Sequence, residues 1–304
     1  MTFPQIFHGV SVLDFSRLLP GPFASTLLRR MGAEVTCIVP PSSDAVLGDY
    51  SPFVSLREGK RFLKLDLKSE ADLKQAQDLI ARSQILLEGF RPGAMARLGL
   101  GFNRAQDMNP SLLYVSLVGY RPEHPKYLLG AHDLNFLVDS GVYSLLFGES
   151  HAGLPALQLA DLVGGFYGTF RILAEWIQRG SRPRASHLEV PVMEGLELFG
   201  EYLRHESAPA LLALLTGSLA RYRIYFTKDQ QRIAVAALEP KFYENLLQAL
   251  QLETRSGAGE EDMAQRIQAA FAKRDLAEWR EIFLKVDACV SFIPSQAEVL
   301  RSKT

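Results

Sequence analysis

Two ionisable residues, His132 and Asp133, stand side by side in GAHDLNF, after two small residues and ahead of an apolar run. An imidazole ionises near neutrality, so in a pocket His132 can both take and return a proton. At a helix start the same pair would instead make local hydrogen bonds, with Asp133 capping free N–H groups. Asp161 in LADLVGG has two similar readings. It is a helix N-cap, or a carboxylate held ionised by the helix dipole and therefore a competent base. Gly164 and Gly165 follow it closely and cost helix stability unless a ligand or a neighbouring chain must approach the backbone. Glu239 in ALEPKFYE separates an apolar strand from a proline-initiated helix, where an acidic residue suits the dipole. Arg91 in EGFRPG follows a strand, either as a solvated loop residue or at the carboxyl end where open α/β sheets bind ligands. No G-x-G-x-x-G follows the first strand, and no P-loop, G-x-S-x-G or H-E-x-x-H is present. Nicotinamide, nucleotide-phosphate, serine-hydrolase and zincin chemistry thereby lose their main sequence support.

These residues need elements to position them. Short β-rich runs at Val10–Phe15, Ala33–Val39, Arg61–Leu67, Gln84–Phe90 and Ser111–Val118 alternate with helical patterns, the signature of a doubly wound parallel sheet. Between the third and fourth runs, Ser69 followed by Asp72 resembles a capping box, and Leu73, Ala76, Leu79 and Ile80 fall at helical spacing. A second helix runs through LVGGFYGTFRILAEWIQRG, with Leu162, Phe166, Phe170, Leu173 and Ile177 on one face and Gly180 as its stop. The expected organisation is a large Rossmann-like domain over 1–185, a linker over 186–215 and a small α+β domain over 216–304. In the last, YRIYF and RIAVAAL read as a strand pair and DACVSFI as a further strand. Helices are expected at Pro240–Leu250, Asp262–Lys273 and Asp275–Phe283.

Composition narrows the function classes. Of 304 residues 47% are hydrophobic and 22% charged, which is a globular composition with enough chain for a sizeable core. A net charge of -1 without a Lys/Arg block gives no nucleic-acid footprint, so an anionic ligand must be met by local basic groups. Cys37 and Cys289 are too few for a disulfide framework or a structural zinc site, and a metal is not expected. No long apolar run signals a membrane span, and the expected setting is cytoplasmic.

Taken in order, VSVLDFSRLLPGPFASTLLRRMGAEV, LREGKRFLKLDLK, LLEGFRPGAMARLGLG, NPSLLYVSLVGY, GAHDLNFLVDSGV, LADLVGGFYGTFRILA, ALEPKFYENLL and VDACVSFIPSQAEVL resemble the family III CoA transferases, the CaiB/BaiF-like group. The resemblance covers nearly the whole chain and implies a large Rossmann-like domain with a smaller α+β domain. Transferases of this family use an aspartate nucleophile, which falls at Asp133. The racemase branch, isomerases acting on 2-methylacyl-CoA thioesters, carries Gly-His-Asp there, and AHD supplies the histidine. That branch also has an aspartate matched by Asp161 and a glutamate matched by Glu239. The resemblance therefore implies that His132, oriented by Glu239, and Asp161 exchange protons on opposite faces of the alpha carbon, with Asp133 positioning the site. Gly164 or Gly165 would offer backbone N–H groups to the enolate oxygen. It also implies CoA contacts at Arg61, Phe62, Leu63, Arg91, Gly130 and Ala131. No cofactor is implied beyond the acyl-CoA substrate. The partner is a second copy of the chain, in an interlocked homodimer where Glu239 faces the other subunit's His132. Two departures stand out: Cys37, Val39 and Pro40 replace an arginine, an acidic and a basic residue usual in the second strand, and GYRPEHP replaces a Gly-Gln-x-Gly-Pro segment. A transferase acting through Asp133, or a member that binds without turnover, are the alternatives.

Overall fold

In the computed structural model the described residues are 3–41, 54–148, 153–180, 183–201, 205–206, 208–253 and 259–301. The chain divides into two compact units, Met1–Tyr202 and Leu203–Thr304.

In the first unit, β1 (Ser11–Asp14), β2 (Glu34–Val39), β3 (Arg61–Lys64), β4 (Ile85–Glu88), β5 (Leu113–Val118) and β6 (Ser186–Pro191) form one sheet. Its order is β3-β2-β1-β4-β5-β6, and every neighbouring pair is parallel. β4 reads ILLE and β5 LYVSLV, runs without alternation that are buried along their whole length. Such strands need cover on both faces, which crossover helices supply. Successive residues of one strand accordingly enter opposite cores. Val12 and Leu87 pack in a layer with Ala24 and Leu28 of α1 (Pro20–Arg30), whereas Leu13 and Leu86 pack with Ile80 of α2 (Glu70–Ile80) and Met95 of α3 (Ala94–Arg97). Ser69 is the N-cap of α2, as expected, but makes no side-chain cap; Asp72 instead accepts the Asp66 N–H at 2.8 Å. After α4 (Phe102–Met108) and β5, the chain forms α5 (Asp133–Asp139), α6 (Val142–Phe147), α7 (Leu159–Arg179), β6 and α8 (Val192–Glu201).

Helix α7 begins three residues before Leu162, so its N-cap is Gln158 and Asp161 lies in its first turn. Its apolar stripe is not its buried face: Phe166 is 63% exposed and Phe170 61%. The buried face is made of Ala160, Asp161, Gly164, Gly165, Gly168, Thr169 and Ile172. A Cβ at Gly165 would lie 2.5 Å from the Pro20 carbonyl oxygen, one at Gly164 2.7 Å from Val192, and one at Gly168 2.8 Å from Leu117. The glycines therefore let α7 lie directly on α1, α8 and β5.

The first part of the stretch 186–215, expected as a linker, enters the fold of the first unit, while Ala208–Leu215 falls in the second. Ser186–Pro191 is the edge strand β6, in register with Leu113–Val118, and α8 follows it. As an edge strand it is only half-buried, so SHLEVP lacks the continuous apolar run of β4 and β5.

In the second unit, α9 (Ala208–Leu215) precedes β7 (Tyr222–Phe226), β8 (Arg232–Ala236), α10 (Pro240–Ala249), α11 (Glu260–Phe271), α12 (Leu276–Phe283), β9 (Val290–Phe292) and α13 (Gln296–Arg301). The three strands form an antiparallel sheet in the order β7-β8-β9. Tyr225, Ile233, Val235, Leu247, Ile267, Phe271 and Trp279 form its core, where the Trp279 indole N–H donates to the Phe271 carbonyl at 2.9 Å. The α/β class with a smaller α+β unit is thus as the sequence predicts. Among the described residues no helix is long and apolar enough to cross a membrane.

Candidate active site

A cavity of about 230 Å3 opens in the first unit beyond the carboxyl ends of β1, β4 and β5. This is the place an open parallel sheet provides: β2 and β3 lie to one side of β1 and β4 to β6 to the other, so the loops leaving β1 and β4 diverge. Ser16 enters the wall after β1, Gly89 to Pro92 after β4, and Leu117 to Gly119 at the end of β5. Gly119 is needed there, since a Cβ would come within 2.9 Å of the Phe136 ring.

His132 and Asp161 both line this cavity. His132 is exposed at the N-cap of α5, its N–H donating to Asn135 Oδ1 at 3.0 Å. Asp161 is 6% exposed and Oδ2 accepts from Gln158 Nε2 at 3.0 Å. Burial foremost, then the negative charge of Asp133, pushes the Asp161 carboxyl up to about 6, while His132 and Gln158 pull it down. The sequence reading expected the helix N-terminus to hold it low; burial instead raises it, and Asp161 is mostly ionised at neutral pH with a protonated fraction of roughly a tenth. Asp133, the first residue of α5, does not cap its own helix. Its Oδ1 accepts the Asp161 N–H at 3.0 Å, joining the starts of α5 and α7.

Of the residues expected to hold CoA, Arg91, Gly130 and Ala131 line the cavity. A Cβ on Gly130 would meet the Arg91 guanidinium at 2.5 Å, so the glycine makes room for the arginine. Arg61, Phe62 and Leu63 are not among the lining residues; they lie on β3, separated from β1 by β2. Glu239 belongs to the second unit, exposed at the N-cap of α10. Gly164 and Gly165 lie within α7, where their N–H groups serve the helix ladder, so the expected donors to an enolate oxygen are already committed. Cys37 is buried between Asp14 and Phe62, its thiol pushed up chiefly by burial, and it is part of the core.

Two features of the wall escape a sequence reading. Ser16 is fixed by Asp14, buried at the end of β1, whose Oδ1 accepts the Ser16 N–H at 2.8 Å and also its hydroxyl. Asp14 Oδ2 accepts from the Ser25 hydroxyl at 2.5 Å, and Lys60 donates to Ser25 Oγ at 2.7 Å. The only signal was a polar Asp-x-Ser at a strand's carboxyl end. The other feature is Tyr127, two residues beyond GYRPEHP, where no pattern marked it. Helix α1 offers no anion site at its start: Pro20 and Pro22 lack N–H groups, and the Gly21 N–H donates to the Leu18 carbonyl at 3.1 Å. Arg91 places a cationic side chain on the cavity wall, where an anionic ligand could be met.

The arrangement places a carboxyl that titrates near 6 and an exposed imidazole on one small cavity. Such a pair can hold one proton between them and pass it in either direction.

Residues 7–304 match the family described as CoA-transferase family III. Among curated relatives, the alpha-methylacyl-CoA racemase of Mus musculus is 32% identical over 97% of this chain and 80% of its own length. The acetyl-CoA:oxalate CoA-transferase of Acetobacter aceti is 24% identical over 96% of this chain and 82% of its own. Among solved structures, a CAIB/BAIF family protein from Brucella suis superposes with a TM-score of 0.81 at 18% identity, covering 100% of this chain and 87% of that one.

Proposed function

The chain belongs to CoA-transferase family III, and we propose that within it the chain epimerises 2-methylacyl-CoA thioesters by two-base proton transfer. The observation that carries this reading is the pair on one cavity, His132 with an Asp161 carboxyl titrating at about 6. An aspartate with its ordinary acidity would be a weak proton donor at neutral pH; raised to about 6, it can act as base in one direction and acid in the other. The identity to curated racemases points the same way.

In this reading Asp161 or neutral His132 takes the proton alpha to the thioester carbonyl, leaving an enolate. The other residue, protonated beforehand, returns a proton to the opposite face. Asp133 fixes the Asp161 backbone. Arg91, Gly130 and Ala131 border the bound thioester, and Arg61, Phe62 and Leu63, outside the cavity, are assigned to remote parts of CoA. Glu239 completes the site from the second copy of a homodimer. The test is incubation of each enantiomer of a 2-methylacyl-CoA in heavy water, for wild type, His132→Ala and Asp161→Ala. Wild type should gain alpha deuterium, and each variant should lose at least about 10²-fold, the usual weight of a general base. Exchange no faster than buffer in wild type would end the reading. A transferase reading rests on the second oxygen of Asp133, which accepts no hydrogen bond among the described residues, and on the transferase relatives. Acyl transfer to a free acid, abolished in Asp133→Asn, would replace the first reading.

A further inference from the structure

His132 owes its place to backbone. Its N–H donates to Asn135 Oδ1, and its carbonyl accepts the N–H groups of Asn135 and Phe136. The ring therefore goes where the end of the connection from β5 to α5, residues 119–132, takes it. That connection contains no helix or strand and holds itself by turns, such as the Tyr127 N–H to the His124 carbonyl and the Leu129 N–H to the Lys126 carbonyl, both 2.9 Å.

Among the described residues four of its side chains tie it to other elements by hydrogen bonds or ion pairs, and they are not equivalent. Lys126 pairs with Asp139 at 2.7 Å and the Tyr120 hydroxyl donates to it at 2.6 Å, but Asp139 closes α5, the helix His132 itself begins, so both ties move with the histidine. Arg121 pairs with Glu197 of α8, but at the far end of the connection and exposed to water, where ion pairs are weak. Tyr127 differs: its hydroxyl donates to Glu189 Oε1 at 2.8 Å, a half-buried, charge-assisted bond to β6. Tyr127 also lines the cavity five positions before His132. Burial and the Glu189 charge push its phenol up to about 12, so it remains a donor across the neutral range.

We propose that Tyr127 is a positioning residue for His132, its bond to Glu189 being the latch that fastens the 119–132 connection to the central sheet. The catalytic consequence rests on the epimerase reading; the latch itself rests on geometry. Releasing it leaves His132 on a segment whose remaining side-chain hydrogen bonds and ion pairs to other elements, among the described residues, reach only α5 and α8. A displacement on the order of 1 Å at a reacting group costs roughly 10²-fold.

The experiment uses Tyr127→Phe, Glu189→Ala, their double variant and Glu189→Gln. It reads alpha-deuterium incorporation from both enantiomers of a 2-methylacyl-CoA, and amide exchange of residues 119–132 by mass spectrometry. Tyr127→Phe and Glu189→Ala should each lower kcat about 10- to 100-fold starting from either enantiomer, since His132 is base in one direction and acid in the other, with KM changed by less than about threefold. The double variant should be no worse than either single one, because all three break one bond. Glu189→Gln keeps an acceptor oxygen and should stay within about threefold of wild type. The 119–132 amides should exchange about tenfold faster in the three bond-breaking variants and not in Glu189→Gln. Unchanged amide exchange in Tyr127→Phe overturns the latch. A raised KM at constant kcat overturns the positioning role. If wild type incorporates no deuterium while the amide pattern holds, the epimerase reading fails and the latch is supported.

Discussion

Asp161 is a carboxyl kept from water beside a second carboxylate, and this sets how the site titrates. Both directions use the pair with one proton on it, so kcat/KM for the two enantiomers should fall together below about pH 6, where Asp161 takes up a further proton. An acid limb that stays near the ordinary carboxylate range, about pH 4, would contradict a role for Asp161 as one of the two bases. Stability follows the same shift. Its native pKa lies above the ordinary 3.8, so folding favours the protonated form. The stability it contributes is present below about pH 4 and lost as pH rises through about 6. Asp161→Asn, neutral throughout, should exceed wild type above pH 7 by up to about 3 kcal/mol and gain nothing at pH 4, read from urea unfolding. Asp133 acts on the same group by charge and by hydrogen bond, and substitution separates the two. Asp133→Asn keeps an acceptor for the Asp161 N–H but removes the charge that raises Asp161, so the pH midpoints should move down while the fold is retained. Asp133→Ala also leaves that N–H without its acceptor and should cost about 1–2 kcal/mol in addition.

At the scale of elements, α7 links the sheet to the site. Gly165→Ala should destabilise the protein by about 1–3 kcal/mol, because its Cβ would face the Pro20 carbonyl oxygen, a backbone atom that cannot swing aside. Gly200→Ala, with nothing near its Cβ and also in a helix, should instead be neutral or stabilising by up to about 1 kcal/mol. Chemical unfolding of both variants checks the contrast. The same helix shows what a sequence can and cannot reveal. Its existence was legible from period and from the Gly180 stop; its buried face was not, because glycines carry no hydrophobic signal and their value lies in what they let approach. The sheet was legible where strands are buried on both faces, at β4 and β5, and less so at β6, where an edge strand reads as half polar. His132, Asp133 and Asp161 were legible because chemistry collects at element junctions, and the cavity gathers two of them with the third alongside. The Tyr127–Glu189 and Asp14–Ser25–Lys60 contacts were not, since each joins residues far apart in the chain that only the folded sheet brings together.

At the scale of the molecule, the chain carries its candidate site in one unit and Glu239 in the other. If Glu239 serves the His132 of a second copy, as proposed, the two residues need not be intact in the same chain. His132→Ala and Glu239→Ala homodimers would each lack one member at both sites. Co-expressed in equal amounts, the two chains assort so that about half of the dimers are mixed. In a mixed dimer one site receives both substitutions and the other receives neither. Activity should therefore return to about a quarter of the wild-type value per chain, from two inactive parents. Sedimentation of the same preparation should give the mass of two chains. A Glu239 that acts within its own chain predicts the opposite, because every site would then carry one substitution whichever copy it paired with. Alpha-deuterium exchange of the co-expressed pair against the two parents decides between these arrangements.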